Sequence, residues 1–107
     1  MKISKRLEAI SDFVDETDRI IDIGCDHAIL DIYLCKKYEG INIIASDIHE
    51  GALDQAKSNV EKHKLSNRIE TRLGDGLTIV NPSEIDTIVI SGMGFHNIKK
   101  YYQMHLK

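Results

Sequence analysis

The sequence has no tryptophan, one proline and two cysteines. A single proline, Pro82, excludes a proline-rich linker and argues against a disordered chain. Two cysteines, Cys25 and Cys35, are too few for a disulfide framework and read as free thiols in a reducing cytoplasm. The start, Met1-Lys2-Ile3-Ser4-Lys5-Arg6, is positive but has no apolar stretch behind it, so it does not read as a signal peptide. No apolar run approaches the ~20 residues of a membrane span. A basic excess is missing too. Lys plus Arg is 14 against 17 Asp plus Glu, a formal net charge of −3, which excludes a basic coat over the whole chain but not a local patch. At 107 residues there is no room for two full domains, so residues 1–107 read as one.

What is present is a repeating order of elements. Ile3, Leu7, Ile10 and Val14 make a helical stripe, with Ser4 as its cap. Arg19 to Ile23 is a short β-branched run, a buried strand. A helix over about 28–38 follows, and Gly40 ends it. Asn42 to Ser46 is a second buried strand, closed by Asp47. Ala52, Ala56 and Val60 mark the next helix, and Arg68 to Leu73 an alternating third strand. Asn81-Pro82-Ser83 is a loop, Thr87 to Ile90 is a fourth, very apolar strand, and Phe95 to Leu106 is expected as a last helix. Alternating strands and helices with continuous apolar strands predict an α/β fold: a Rossmann-like, doubly wound parallel sheet covered on both faces.

In such a sheet a ligand binds outside the carboxyl ends of the strands. Those ends carry Gly24-Cys25-Asp26-His27, Asp47, Gly74-Asp75-Gly76 and Gly92-Met93-Gly94, and so five of the seven glycines. Each turn alone has a plain reading, because Gly and Asp are ordinary turn formers. Four of them on one edge point to a ligand. Asp47 lies 23 positions after Gly24, where nucleotide-binding α/β folds place the acid that takes ribose hydroxyls. Its alternative role is to cap the next helix.

The nucleoside bound here carries no phosphate in this reading. The first turn lacks the second and third glycines of a dinucleotide fingerprint, an aspartate stands where a phosphate needs room, and no Gly-Lys-Ser/Thr occurs. S-adenosylmethionine fits: an adenosine, a cationic sulfonium and an amino acid, compatible with carboxylates.

Asp22-Ile23-Gly24, Asp47 and Asp75 together resemble the class I methyltransferase signature. In that family the first turn holds the methionine part, the second acid the ribose, and the third-strand acid meets the adenine amine. The usual acid-x-Gly-x-Gly-x-Gly is altered here to Asp26 and Ala28. Ser4-Lys5-Arg6-Leu7, Asp22-Ile23-Gly24-Cys25-Asp26-His27-Ala28, Gly74-Asp75-Gly76-Leu77 and Gly92-Met93-Gly94 resemble more narrowly the bacterial tRNA (adenine-22-N1)-methyltransferases, with Phe95 replacing a last glycine. The resemblance implies methyl transfer to adenine N1 in tRNA. It implies cofactor contacts from Arg6, Asp22, Gly24, Cys25, Asp26, His27, Asp47, Ile48, Gly74, Asp75, Gly76, Leu77, Gly92 and Met93, with Asp26 also the catalytic candidate. Family members are about twice as long, so it further implies the N-terminal part of such an enzyme. A second copy or a C-terminal half would complete the sheet.

Each residue also has a plainer role open to it. Asp26 would cap the helix after it, His27 would be solvated, and Arg6 would be a surface arginine. Lys62-His63-Lys64 with Arg68 and Arg72 form a basic cluster that meets tRNA phosphates or simply faces solvent. Phe95, Tyr101 and Tyr102 either stack a flipped base or pack as core. No His or Cys spacing fits a metal site. Cys25 reads as packing rather than as a nucleophile. Two rivals stand against the methyltransferase. A phosphoacceptor signalling domain would need an acidic pair after its first strand and a lone acceptor Asp after its third. A cofactor-binding fragment without activity is the other.

Overall fold

Side chains alternate along the strands, and that alternation decides what each face of the sheet buries. The computed structural model describes residues 5–16, 18–90 and 97–100. Its elements are α1 (Lys5–Ser11), β1 (Arg19–Ile23), α2 (Ile29–Lys37), β2 (Asn42–Asp47), α3 (Glu50–Lys62), β3 (Ile69–Leu73), β4 (Thr87–Ile90) and β5 (Asn97–Lys100). Short 3-10 turns at Gly76–Ile79 and Pro82–Glu84 lie between β3 and β4. The sheet order is β3-β2-β1-β4-β5. β1, β2, β3 and β4 are parallel, and β5 runs antiparallel to β4.

The register sets Ile20 beside Ile43 and Ile21 beside Ile44. Ile20, Ile43, Ile69 and Val89 share a cluster with Leu30, Ile32 and Leu34 of α2 and with Ala56 and Val60 of α3. Ile21, Ile44 and Ile88 point the other way, onto Ile85 and Val80. Ile20 and Ile21 are almost fully buried, each stabilising the fold by about 1.5–3 kcal/mol. All described helix residues that enter the core lie on the first face. The β3–β4 connection, not a helix, covers the second.

Two expectations change. The loop at Asn81 is a built turn: Asn81 accepts from the Ser83 N–H at 3.1 Å, and Glu84 accepts from the Asn81 N–H at 2.8 Å. The expected helix over Phe95 to Leu106 is replaced within the described residues by β5. Six residues separate β4 from β5, too few for a parallel crossover but enough for a hairpin. A strand there also satisfies the backbone edge of β4, which a helix would leave open. Ser4 and residues 91–96 and 101–107, with the aromatics expected there, lie outside the described residues. No described helix is long and apolar enough to cross a membrane.

Candidate functional site

The chain runs outward from β1 through β2 to β3 and returns to the far side of β1 as β4. That reversal puts the loop after β1 at the switch point of the sheet, where open α/β folds bind ligands. Gly24, Asp26 and Ala28 all have left-handed backbones, at φ 74, 52 and 60. These are the three glycine positions of the general class I pattern. The loop keeps the glycine-type backbone although two side chains oppose it, at a cost of about 1 kcal/mol or more each. Hydrogen bonds hold it there. The Gly24 and Cys25 N–H groups both donate to the Ser46 carbonyl at 2.9 Å. Asn59 of α3 donates its amide to the His27 carbonyl at 2.9 Å.

Asp47 ends β2 and is only 7% exposed. One carboxyl oxygen accepts from the His49 N–H at 2.9 Å, the other from the Asp26 N–H at 3.4 Å. It does not cap α3 from the cap position, which is His49. Asp47 instead joins the two turns at the ends of β1 and β2. Beside it, Gly74-Asp75-Gly76 closes the end of β3, with Gly76 left-handed at φ 51. A Cβ on Gly74 would stand 2.3 Å from Ile79 Cγ2, so the turn leaves no room for a side chain there. Gly24, Asp47, Ile48, Gly74, Asp75 and Gly76 line one cavity of about 310 Å³, joined by Ile23, Ser46 and His49. Ile48 is 61% exposed, an apolar surface at its rim.

Comparisons with known proteins identify the family and the fold. Residues 3–106 match the family model described as a methyltransferase domain. The chain belongs to the methyltransferase domain family. It is 38% identical over 94 residues to the tRNA (adenine(22)-N(1))-methyltransferase of Bacillus subtilis, covering 88% of this chain and 40% of that protein. It superposes with a TM-score of 0.79 and 39% identity on the Streptococcus pneumoniae protein Sp1610 in complex with S-adenosyl-L-methionine, over 87% of this chain and 44% of that one. M. capricolum TrmK, in complex with S-adenosyl-homocysteine, gives a TM-score of 0.73 at 27% identity, over 84% and 52%. The methyltransferase domain thus has the Rossmann-like class I fold, and the chain spans about 40% of the length of its curated Bacillus relative.

Within this methyltransferase domain the other expected residues separate. Asp26 and His27 are exposed on the loop, with His27 Nε2 3.8 Å from Asp26 Oδ1. Asp26 does not cap α2, whose cap position is Ala28 with no side-chain bond. Cys25 is buried, and burial, then Asp31, Asp22 and Asp47, push its thiol far up, which leaves it inert as a nucleophile. Leu77 is partly exposed in the 3-10 turn beside the cavity. Asp22 is fully buried beneath the loop. The Arg6 side chain, Gly92 and Met93 lie outside the described residues.

The basic cluster does not assemble as expected. Arg68 donates to the carbonyls of Cys35 at 2.7 Å and Ile41 at 2.8 Å, and also to that of Tyr38, so it closes the end of α2. Arg72 forks onto Glu84 at 2.8 and 3.0 Å and also pairs with Glu70. Both cations are consumed inside the fold. Ser46, Asn59 and Asp31 were missed from sequence. Asp31 had a readable signal, a lone acid inside the apolar run Ile29-Leu30-Asp31-Ile32.

Proposed function

We propose that residues 1–107 form a single S-adenosylmethionine-binding domain, the N-terminal part of a tRNA methyltransferase that modifies N1 of an adenine. One observation carries the cofactor reading: Asp47 and Gly74-Asp75-Gly76 line one cavity beside the left-handed loop at the switch point. The donor set fits the ligand. Among the described residues, no lysine or arginine forms a salt bridge with Asp26, Asp47 or Asp75, as suits a cationic guest. Left-handed Gly24 and Gly76 let backbone approach it closely.

Asp47 would accept both ribose hydroxyls, Asp75 would accept from the adenine amine, and Ile48 would cover the purine face. The loop over residues 24–28, with Asp22 beneath and Arg6 from α1, would hold the methionine part. Leu77 would flank the adenine, and Gly92 and Met93 would complete the far wall. S-adenosylmethionine supplies a methyl group activated by its sulfonium. The protein's part is alignment and exclusion of water, worth ~7–11 kcal/mol in favourable cases. Adenine N1 already has a free lone pair, so no general base is required. Asp26, exposed on the loop after β1, would accept a hydrogen bond from the target's amine. A base stacked in a tRNA arm must first be flipped out.

The reading includes a partner polypeptide, a second copy or a C-terminal half, that completes the sheet and supplies most of the tRNA contact. The net charge of −3 and the internal use of Arg68 and Arg72 support that division. A phosphoacceptor role finds no support in Asp75, which stands in a Gly-Asp-Gly turn rather than as a lone acceptor. Calorimetric titration with S-adenosylmethionine tests the cofactor assignment. Saturable heat is expected, and no heat at high ligand concentration would sink it. Methyl transfer to unmodified tRNA then separates an enzyme from a binding fragment without activity.

A further inference from the structure

Asp31 stands in the first turn of α2, yet its exposure is zero. No N–H or O–H donor among the described residues meets either of its carboxyl oxygens. Its polar neighbour is the carboxyl of Asp22, which is also fully buried and close enough for a shared proton. Asp22 reaches it from β1, on the face of the sheet that α2 covers. An ionised carboxylate only accepts hydrogen bonds, so a bond between two carboxyls requires a proton on one of them. Two like charges in one dry site cannot both persist. Among the described residues, Asp22 is the charged group acting on Asp31. Cys25, from the loop above, and Cys35, one turn further along α2, both feel the charge of Asp31, while Lys5 and Glu8 of α1 are exposed.

We propose that Asp31 is a positioning residue that keeps its proton at neutral pH and donates it to Asp22, fixing that carboxylate beneath the switch-point loop. The pair then holds one negative charge instead of two. Burial, and then the charge of Asp22, raise the Asp31 carboxyl well above its ordinary range, in the same direction as the geometry. Asp22 in turn is anchored through its backbone, where its carbonyl accepts from Ser46 Oγ at 3.1 Å. The proton thus stiffens the floor of the loop that the proposed function assigns to the methionine part, and only the binding arm below rests on that assignment.

Infrared spectroscopy of the ligand-free chain at pH 7 tests the proton directly. The carbonyl stretch of a protonated carboxyl is expected in the wild type and should vanish in Asp31→Asn. A spectrum without the band, or a band that survives Asp31→Asn, overturns the proposal. Denaturation gives a second reading. A carboxyl raised in the folded state stabilises below its unfolded value and loses that contribution as pH rises. The wild type should therefore lose stability relative to Asp31→Asn above about pH 4, and a pH-independent difference would refute the shared proton. In the binding arm, Asp31→Asn should keep S-adenosylmethionine affinity within about twofold, because its amide donates in the proton's place. Asp31→Ala should lose about tenfold. Equal loss in both variants counts against positioning by hydrogen bond. A chain that shows the band but binds no S-adenosylmethionine supports the shared proton and overturns the cofactor reading alone.

Discussion

Of two contrasting cavities on this domain, the larger is the less promising. One of about 530 Å³ is lined by Arg19, Asn42, Arg68, Glu70, Arg72 and Glu84, among others. The other, of about 310 Å³, lies over the carboxyl ends of β1, β2 and β3. In the larger cavity the three arginines are already engaged. Arg19 bonds Asp86 at 2.9 Å and the Ser83 carbonyl at 2.7 Å, Arg68 bonds the carbonyls at the end of α2, and Arg72 bonds Glu84 and Glu70. In the smaller one, neither Asp47 nor Asp75 is salt-bridged to a cation among the described residues. Hydrogen-bonding capacity left unspent, rather than volume, marks the place where a ligand is worth binding. The first region holds the fold together and the second is held by it.

Separate variants should pull the two regions apart. The largest effect is expected from Arg68→Met, which strips the donor from the Cys35, Tyr38 and Ile41 carbonyls. Stability should fall by about 3 kcal/mol, since each buried unsatisfied acceptor costs about 1–3 kcal/mol and water will reach some of them. Urea denaturation measures it. S-adenosylmethionine affinity of the folded fraction should stay unchanged, and an affinity that fell with stability would erase the division between the cavities. Asp47→Ala is the converse. Loss of a charge-assisted acceptor for two ribose hydroxyls should weaken binding by about 2 kcal/mol, roughly thirtyfold. Stability should fall by no more than about 1 kcal/mol, for the brace to His49 and Asp26. Unchanged calorimetric affinity would remove Asp47 from the ribose role.

The sequence made the second region far more legible than the first. Asp47, Gly74, Asp75 and Gly76 could be read because short-range rules place them: a glycine or an acid directly after a β-branched run sits at a strand end. Arg68 and Arg72 looked like a patch with Lys62-His63-Lys64 because charge in sequence says nothing about partners. Arg68 finds carbonyls 27 to 33 residues away, and Arg72 finds Glu84, 12 residues away. Those pairings exist only after the sheet has formed. The end of the chain failed for a related reason. Helix or strand over residues 97–100 is decided by whether the edge of β4 needs a neighbour, and local propensity does not encode that. Asp26 and Ala28 show the opposite limit. Their side chains suggested a departure from the glycine pattern, but both take the glycine backbone anyway, with the Asp26 N–H bonded to Asp47 and the Ala28 N–H to the Cys25 carbonyl.

The smallest expected effect, and the finest test of the division, is acid sensitivity. Arg72, and then the Asn81 N–H, hold the Glu84 carboxyl down to about 2 from an ordinary 4.5. A carboxyl lowered in the folded state stabilises above its unfolded value and loses that contribution as pH falls through its folded value. The window is therefore pH 4.5 down to about 2. The pair is partly exposed, so salt and solvent screen it and its contribution is small. Glu84→Gln should be slightly less stable than the wild type at pH 6 and should converge with it toward pH 2, as followed by denaturation midpoints. A difference that stayed constant across the window would assign the loss to the Asn81–Glu84 turn geometry rather than to the ion pair. In either case S-adenosylmethionine affinity at pH 7 should not move, because Glu84 borders only the cavity whose charges are already spent.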